Sequence, residues 1–336
     1  MESSEVGVTM KVCQKLGANG ASSRSLLGLD IAGAAPISYI MTTASASSGH
    51  LTHLGVLRFT GADALPFLQG QVSNDTQRLT ENAPLLAAYS SAQGRVLAVI
   101  YLLPHSSGVI AILPREILST TMERMRKFIL RAKVRIEDAG DTLAVAGCVG
   151  VMPQSSSGYT EIDGVGIAPV GRDKNRHWLI AAAEKLPSTG DAAAAKRLED
   201  EWRLADIRAG LPQIYAATSE AFVAQMLNLD LLDGISFTKG CYTGQEIIAR
   251  TQHLGRIKRR LFRLQLPSGT WQVGQAVRLA DGRQGRLTEV AQANGRIEAL
   301  AVLSVGPGAA VSSDAPTEIL VDAAELPLPY VIPSVA

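Results

Sequence analysis

The sequence predicts an α+β fold that ends in a small β-barrel, and two patterns support this prediction. Apolar runs of strand length are mixed with amphipathic helical segments from residue 51 to residue 257, which is typical of α+β layers. From residue 258 onward, short alternating runs are separated by the turn sequences PSG, DGR and NGR. Regularly spaced short strands of this kind favour a barrel.

The patterned part of the chain divides into three predicted domains. The first α+β domain spans residues 51–142, where strand-like runs such as GVIAILP precede a helical pattern in EILSTTMERMRKFIL. The second α+β region, residues 143–257, contains the clearest helix, DAAAAKRLEDEWRLADIRAG, with Gly210 as its expected stop. Residues 258–336 form the predicted β-barrel.

Residues 1–50 form a predicted N-terminal extension. They are rich in Ser, Ala and Gly and sustain no periodic hydrophobic pattern, so we expect them to be poorly ordered. Met41 would also serve as a start, and the sequence leaves open whether the residues before it belong to the native protein.

Composition excludes several classes of function. The 336 residues carry a net charge of +1, so no global field selects nucleic acid or an anionic membrane, and binding of either needs a local patch. Cys13, Cys148 and Cys241 are odd in number and form no CxxC pair, which argues against a disulfide framework and a self-contained metal site. No apolar run reaches about 18 residues and no signal peptide is visible, so we expect no membrane span and a cytoplasmic location.

The stretch KGCYTGQEIIAR, residues 239–250, holds the candidate reactive group. Thr243 and Glu246 have the spacing of a capping box, which predicts a helix that begins at about Gly244. Cys241 would then lie near the positive end of the helix dipole and two residues from Lys239, and both favour the thiolate. The same spacing also fits a cysteine that fills a tight turn beside a solvated lysine.

A run of cations follows this motif. Arg250, Arg256, Lys258, Arg259 and Arg260 place five positive charges in eleven residues, which is enough for a local phosphate-binding patch. A solvated edge has the same pattern, and aromatic residues that would help bind single strands are absent. The five histidines show no metal-binding spacing, so no metal site is predicted.

Several segments together resemble the YgfZ family, which is related to the folate-binding T-protein of the glycine cleavage system. They are TGADALPFLQGQVSND, EWRLADIRAGLPQI and LDLLDGISFTKGCYTGQEIIAR, and the resemblance covers about residues 51–330. It implies a three-domain aminomethyltransferase-like folate-binding fold around a central opening. It also implies a folate-dependent role in assembly or repair of iron–sulfur clusters, including those of tRNA-thiolating enzymes.

The resemblance also implies site residues. The family's functional cysteine corresponds to Cys241, with Lys239 two residues before it. One of two tryptophans that contact folate corresponds to Trp202, and a plain anchor of the core is the alternative for this residue. The second tryptophan position corresponds to about Leu54, which keeps an apolar wall but loses an aromatic ring. The remaining residues expected around the folate are Tyr242, Gln245, Glu246 and Arg250.

One departure from the T-protein bears on catalysis. Aminomethyltransferases carry an acidic pair where this chain has Ala98 and Val99, so no carboxylate assists proton transfer at that place. The sequence therefore favours a tetrahydrofolate-binding accessory factor for iron–sulfur proteins, and it leaves open whether the protein is an enzyme. The alternatives are a folate-dependent aminomethyltransferase and a tRNA-binding protein that uses Arg256, Lys258, Arg259 and Arg260.

Overall fold

A computed structural model describes residues 48–79, 84–149, 158–253, 257–306 and 319–333. The described α-helices are α1 Ala64–Gln69, α2 Leu118–Arg126, α3 Ala192–Ala209 and α4 Gln245–His253. Short 3-10 helices occupy Thr76–Arg78, Arg115–Ile117, Ala183–Lys185, Ala216–Thr218 and Ala224–Leu227. Among the described residues, no helix is long and apolar enough to cross a membrane.

Sixteen strands lie in the described ranges and form three sheets. The strands are β1 Ser48–His50, β2 Leu54–Thr60, β3 Leu85–Ser90, β4 Val96–His105, β5 Gly108–Pro114, β6 Arg135–Asp138, β7 Ala144–Val149, β8 Thr160–Ile162, β9 Val165–Val170, β10 Asp173–Ala181, β11 Arg259–Leu266, β12 Ala276–Leu279, β13 Gln284–Ala293, β14 Arg296–Ser304, β15 Ile319–Val321 and β16 Ala324–Leu326.

The first two sheets are antiparallel and five-stranded. The first has the order β3-β4-β5-β2-β6, and the second has the order β1-β7-β10-β9-β8. Ser48–His50 pairs with β7, with Ser48 opposite Cys148. The sequence analysis assigned these three residues to the poorly ordered extension, and that assignment was wrong because their backbone completes the edge of the second sheet.

The third sheet has the order β15-β12-β13-β14-β11-β16 and curls into a half-barrel. Its pairs are antiparallel except β12 with β15, which is parallel. The predicted α+β class with a C-terminal β-barrel is therefore confirmed. The predicted domain boundaries stay predictions.

The three sheets share their hydrophobic cores. One core joins residues of the first sheet to Leu261, Leu300 and Val302 of the third sheet. A second core joins the first and second sheets and contains Trp178 and Trp202. Because apolar side chains are buried between sheets and not only within them, the sheets hold one another in place.

Helix α3 connects the second sheet to the third. Asp191 caps its start by accepting the Ala194 N–H at 2.8 Å, and Gly210 ends it in the left-handed conformation with φ of 65°. The predicted helix and its glycine stop are confirmed. Near its end, the Arg208 guanidinium lies 2.8 Å from the buried Glu298 carboxylate of β14, which orients the helix beside a cavity.

Candidate functional site

A cavity of about 710 Å³ lies where the sheets and α3 meet. Its walls come from β3 and β4, the end of β9 and the turn after it, the last turn of α3, and residues near 232 and 330. They are formed by Arg78, Pro84, Leu85, Leu86, Tyr101, Pro169, Gly171, Arg172, Asp173, Ala205, Arg208, Ala209, Leu211, Leu232, Asp233, Pro329 and Tyr330. This volume falls in the range of small-molecule and cofactor sites, roughly 300–1,000 Å³.

Tyr101 is one of the lining residues and carries a buried polar atom. Its side chain is buried, its ring meets Trp178 edge-on at 4.7 Å between centroids, and its hydroxyl has no hydrogen-bond partner. Burial raises the pKa of Tyr101 far above its ordinary value, so the group stays a neutral O–H. Since a buried hydroxyl without a partner is unfavourable, this atom is suited to bond a ligand in the cavity.

Arg176 organises the charges behind the cavity. Its guanidinium donates to Asp206 at 2.7 Å and to Asp173 at 2.9 Å, and it lies 5.1 Å from the Trp202 ring centroid. One of its terminal nitrogens, Nη2, has no partner. The Asp173 carboxylate that lines the cavity is therefore already paired with a cation.

Three arginines line the cavity nearer to solvent. Arg78 lies 2.7 Å from Asp233, and both side chains are about half exposed. Arg172 has no carboxylate partner among the described residues and bonds the Leu231 carbonyl at 3.4 Å. Arg208 keeps its bond to Glu298 described above. Cations at an open edge favour a ligand that carries carboxylates there.

The Lys239 side chain anchors the cysteine loop to residues 69–74. It is buried, and its ammonium donates to the carbonyl oxygens of Gln69 at 2.7 Å, Val72 at 2.8 Å and Asn74 at 2.8 Å. It also lies 4.9 Å from the centroid of the Tyr242 ring. Desolvation lowers the pKa of Lys239 to about 8. All three N–H bonds of the ammonium are used by backbone, so its observed role is structural.

The residues after Cys241 fix the loop on its other side. Tyr242 is buried, and the Thr243 N–H donates to the Gly70 carbonyl at 3.2 Å. Gly244 has φ of 82°, and a Cβ there would lie 2.6 Å from the Ser91 carbonyl oxygen and 3.0 Å from Gly94 Cα. Glycine at this position therefore lets the start of α4 pack directly against the turn that joins β3 and β4.

Cys241 itself is exposed between these anchors. Gly240 before it has no atom within 4 Å of an ideal Cβ, so the space around this part of the loop is open. Cys148, the other described cysteine, is buried in the second sheet, and burial raises the pKa of its thiol. Among the described residues, no group of three His, Cys, Asp or Glu side chains is placed to hold a metal ion.

The predicted capping box is absent from the hydrogen bonds of the described chain. Helix α4 begins at Gln245, close to the predicted start, but the Glu246 carboxylate pairs with Arg250 at 2.8 Å. Thr243 uses its backbone N–H in the contact with Gly70. Contacts with residues 69–74 and with the turn between β3 and β4, and not a local cap, thus hold the loop in place.

The residues predicted to bind folate do not line the cavity. Trp202 is buried in the core against Gly147, where a Cβ would come within 2.6 Å of the indole ring. Leu54 borders a separate, smaller cavity of about 220 Å³ beside Arg115. The motif residues Tyr242, Gln245, Glu246 and Arg250 are likewise outside the lining. Sequence similarity identified the motif but not the cavity wall.

The basic run after the motif is divided by the fold. Arg256 lies outside the described residues, Lys258 is exposed, and Arg259 is half-buried at the start of β11. Arg260 is buried and donates to the Asp230 carboxylate at 2.6 Å, so its charge is neutralised. Inclusion of Arg260 in an RNA-binding patch was therefore wrong.

Asn74 joins the cysteine loop to the cavity. Its carbonyl accepts from Lys239, while its side-chain amide donates to the backbone carbonyls of Leu86 at 2.8 Å and Asp233 at 2.6 Å. Leu86 and Asp233 line the cavity. Sequence analysis missed Asn74, Tyr101 and the three arginines that line the cavity. Each of these residues is unremarkable among its sequence neighbours and gains its role from contacts with distant parts of the chain.

Comparison with known proteins identifies the class of the fold. The structure is similar to the glycine cleavage system aminomethyltransferase T from Bartonella henselae, with a TM-score of 0.57, 14% identity, and coverage of 78% of this chain and 79% of that chain. The chain therefore has the aminomethyltransferase T-protein fold. No family model matches it.

Sequence relatives then identify the family. The chain is 32% identical over 246 residues to a tRNA-modifying protein YgfZ from Hamiltonella defensa, covering 69% of this chain and 71% of the relative. Proteins of the same name match at 32% identity in Colwellia psychrerythraea, over 63% of this chain and 69% of the relative, and at 31% in Yersinia pestis, over 67% and 70%. The chain belongs to the YgfZ family.

Proposed function

We propose that the protein is a tetrahydrofolate-binding accessory factor that supports the assembly or repair of iron–sulfur clusters, acting through Cys241 in the cytoplasm. The observation that carries this proposal is the connection through Asn74, which joins the wall of a cofactor-sized cavity to the loop that exposes the cysteine. The names of the relatives support a link to tRNA modification, so we propose tRNA-modifying iron–sulfur enzymes as clients.

The cavity residues fit tetrahydrofolate. Leu85, Leu86 and Leu211 provide apolar surface for the ring system, and the unpartnered Tyr101 hydroxyl provides a hydrogen bond inside. Arg172, which has no carboxylate partner among the described residues, is available to the carboxylates of the glutamate tail. Bound tetrahydrofolate would supply one-carbon or reductive chemistry, and the protein would bind and orient it.

Cys241 provides a single exposed sulfur on a loop with fixed ends. One thiolate is too few to hold a cluster within the chain, but it is sufficient as one iron ligand shared with a client protein. The buried Lys239 and Tyr242 limit movement of the loop on both sides of this thiol. A preorganised ligand loses less conformational entropy when a client binds.

Aminomethyl transfer is the competing function for this fold. Ala98 and Val99 are fully buried within β4, so the strand that carries the acidic pair in aminomethyltransferases brings no carboxylate to the site. The two carboxylates among the described lining residues, Asp173 and Asp233, are each paired with an arginine. Incubation with tetrahydrofolate and an aminomethyl-carrier protein tests this function, and methylene-tetrahydrofolate formed with many turnovers would replace our proposal.

Complementation tests the proposed role directly. In a bacterial strain that lacks its own YgfZ, we expect the wild-type chain to restore iron–sulfur enzyme activity and Cys241→Ser to fail while it still binds tetrahydrofolate. Cys148→Ala is the matched control, because it removes the other described thiol, which is buried, and should complement. Full complementation by Cys241→Ser would refute the role of the thiol.

A further inference from the structure

A second basic segment, which the sequence analysis did not single out, runs from α2 to β6. Residues 124–135, RMRKFILRAKVR, contain six cations and no acidic residue, although the whole chain carries only +1. The cations of this α2–β6 surface are Arg124, Arg126, Lys127, Arg131, Lys133 and Arg135. All six side chains are exposed.

Most of this charge is not neutralised. Lys127, Arg131 and Lys133 form no ion pair within the described residues, and Arg126 donates only to the backbone carbonyl of Ile136, at 2.6 and 3.1 Å. Arg124 and Arg135, at the two ends of the segment, each pair with one carboxylate. Both arginines are exposed, and ion pairs of exposed side chains are weak. Four cations therefore remain available to an anionic partner.

The segment is held in a defined conformation. The Asp63 carboxylate accepts the Lys133 N–H at 2.6 Å, and the Asp63 N–H donates to the Lys133 carbonyl at 3.2 Å. The end of α2 is tied to β6 by the bonds from Arg126 described above. The cations therefore project from a rigid support, which lowers the entropic cost of binding.

Two apolar side chains project from the same surface. Phe128 is 48% exposed and Leu130 is 88% exposed, although both lie within a segment whose neighbours Met125 and Ile136 are buried. An exposed ring among arginines is the arrangement on which an unpaired base stacks while phosphates bind the cations. An exposed Phe128 therefore points to a partner with both phosphates and bases.

We propose that the α2–β6 surface binds RNA. Four of its six cations are arginines, whose planar groups bond phosphate oxygens in pairs. An anionic membrane would require a broader apolar face than Phe128 and Leu130 provide. The proposal rests on the proposed function only for its choice of tRNA as the probe. The RNA-binding residues that it names are distinct from Cys241 and from the basic run at Lys258 and Arg259 that the sequence predicted.

The test measures fluorescence anisotropy of a labelled, unmodified tRNA transcript titrated with the full chain at increasing KCl. We expect Arg131→Gln/Lys133→Gln to weaken binding about tenfold at low salt and to reduce the salt slope by about two, one for each phosphate that the removed cations would bind. The matched control is Lys258→Gln/Arg259→Gln, which also removes two positive charges, one lysine and one arginine, but from a different place. It should change affinity less than about twofold.

Phe128→Ala separates stacking from charge. It should weaken tRNA binding about tenfold and leave the salt slope unchanged, because it removes a ring and no cation. Wild-type protein that binds no tRNA, an equal loss in the control double variant, or binding to anionic vesicles that tRNA does not displace would each overturn the proposal. Tetrahydrofolate titration of the same variants should match wild type, so failure here is distinguishable from failure of the folate site.

Discussion

The Lys239 ammonium donates a 2.8 Å hydrogen bond to the carbonyl oxygen of Asn74, the residue whose side chain bonds two segments of the cavity wall. The cysteine loop and the cavity are therefore parts of one hydrogen-bonded structure. Two further backbone carbonyls accept from the same ammonium, so this one lysine supplies the hydrogen-bond donor for three carbonyl oxygens.

Lys239→Met should destabilise the protein. It keeps the aliphatic chain but leaves the carbonyls of Gln69, Val72 and Asn74 without their donor, and we expect a loss of about 2–4 kcal/mol in the free energy of unfolding. Urea unfolding measures this loss, and the rate of Cys241 modification by a thiol reagent reports the loop. Lys258→Met, which none of these bonds involves, is the control, and equal stability of the two variants would contradict the role of Lys239.

The two glycines beside Cys241 should differ in their tolerance of alanine. Gly244→Ala places a Cβ 2.6 Å from the Ser91 oxygen at a φ of 82°, so we expect a loss of about 2 kcal/mol in stability. Gly240→Ala meets no atom within 4 Å and should leave stability within about 0.5 kcal/mol of wild type. Thermal unfolding of both variants checks the difference, and the same melting temperature for both would show that α4 does not depend on the close contact.

Trp202 should contribute to stability and not to folate binding. Its indole is packed between Gly147 and Arg176, so Trp202→Phe leaves a cavity and should cost about 2 kcal/mol. Tetrahydrofolate affinity, measured by calorimetry at a temperature where the variant is folded, should stay within twofold of wild type, about 0.4 kcal/mol. A large loss of affinity without a loss of stability would restore the role that the family resemblance implied.

Buried Glu289 should make stability depend on pH. Burial raises the pKa of Glu289 from 4.5 to about 7, although Arg203 lies 3.1 Å away and the Tyr215 hydroxyl donates to it. The folded state then binds a proton that the unfolded state has lost between these pH values, so stability falls as pH rises from about 4.5 to about 7. Glu289→Gln should flatten this part of the urea-unfolding profile, and an identical pH dependence in the variant would exclude Glu289 as its source.

The sequence was sufficient for features that depend on neighbouring residues. Periodicity and a terminal glycine located α3 and its end at Gly210, and alternating runs indicated the curled third sheet. The motif residues located the start of α4 within a residue. These features are local because hydrogen bonds and side-chain faces within an element repeat at short spacing.

Features that depend on distant partners could not be predicted. Whether Lys239 is solvated or buried depends on backbone carbonyls about 170 residues earlier in the chain. Whether the charge of Arg260 is free or neutralised depends on its contact with Asp230. Tyr101 looks like a core residue of an apolar strand, and only the packed fold shows that it lines a cavity and that its buried hydroxyl has no partner. The cavity wall is thus a property of the packed fold, and local patterns do not contain it.

Titration with tetrahydrofolate tests the central claim most directly. Trp178 contacts Tyr101 at 4.7 Å between ring centroids, so binding in the cavity should quench tryptophan fluorescence to saturation. Tyr101→Phe should bind about tenfold more weakly because it loses one buried hydrogen bond, whereas Tyr159→Phe, whose ring lies outside the cavity lining, should bind as wild type does. Absence of saturable binding, or equal affinity of wild type and Tyr101→Phe, would contradict a folate site in this cavity.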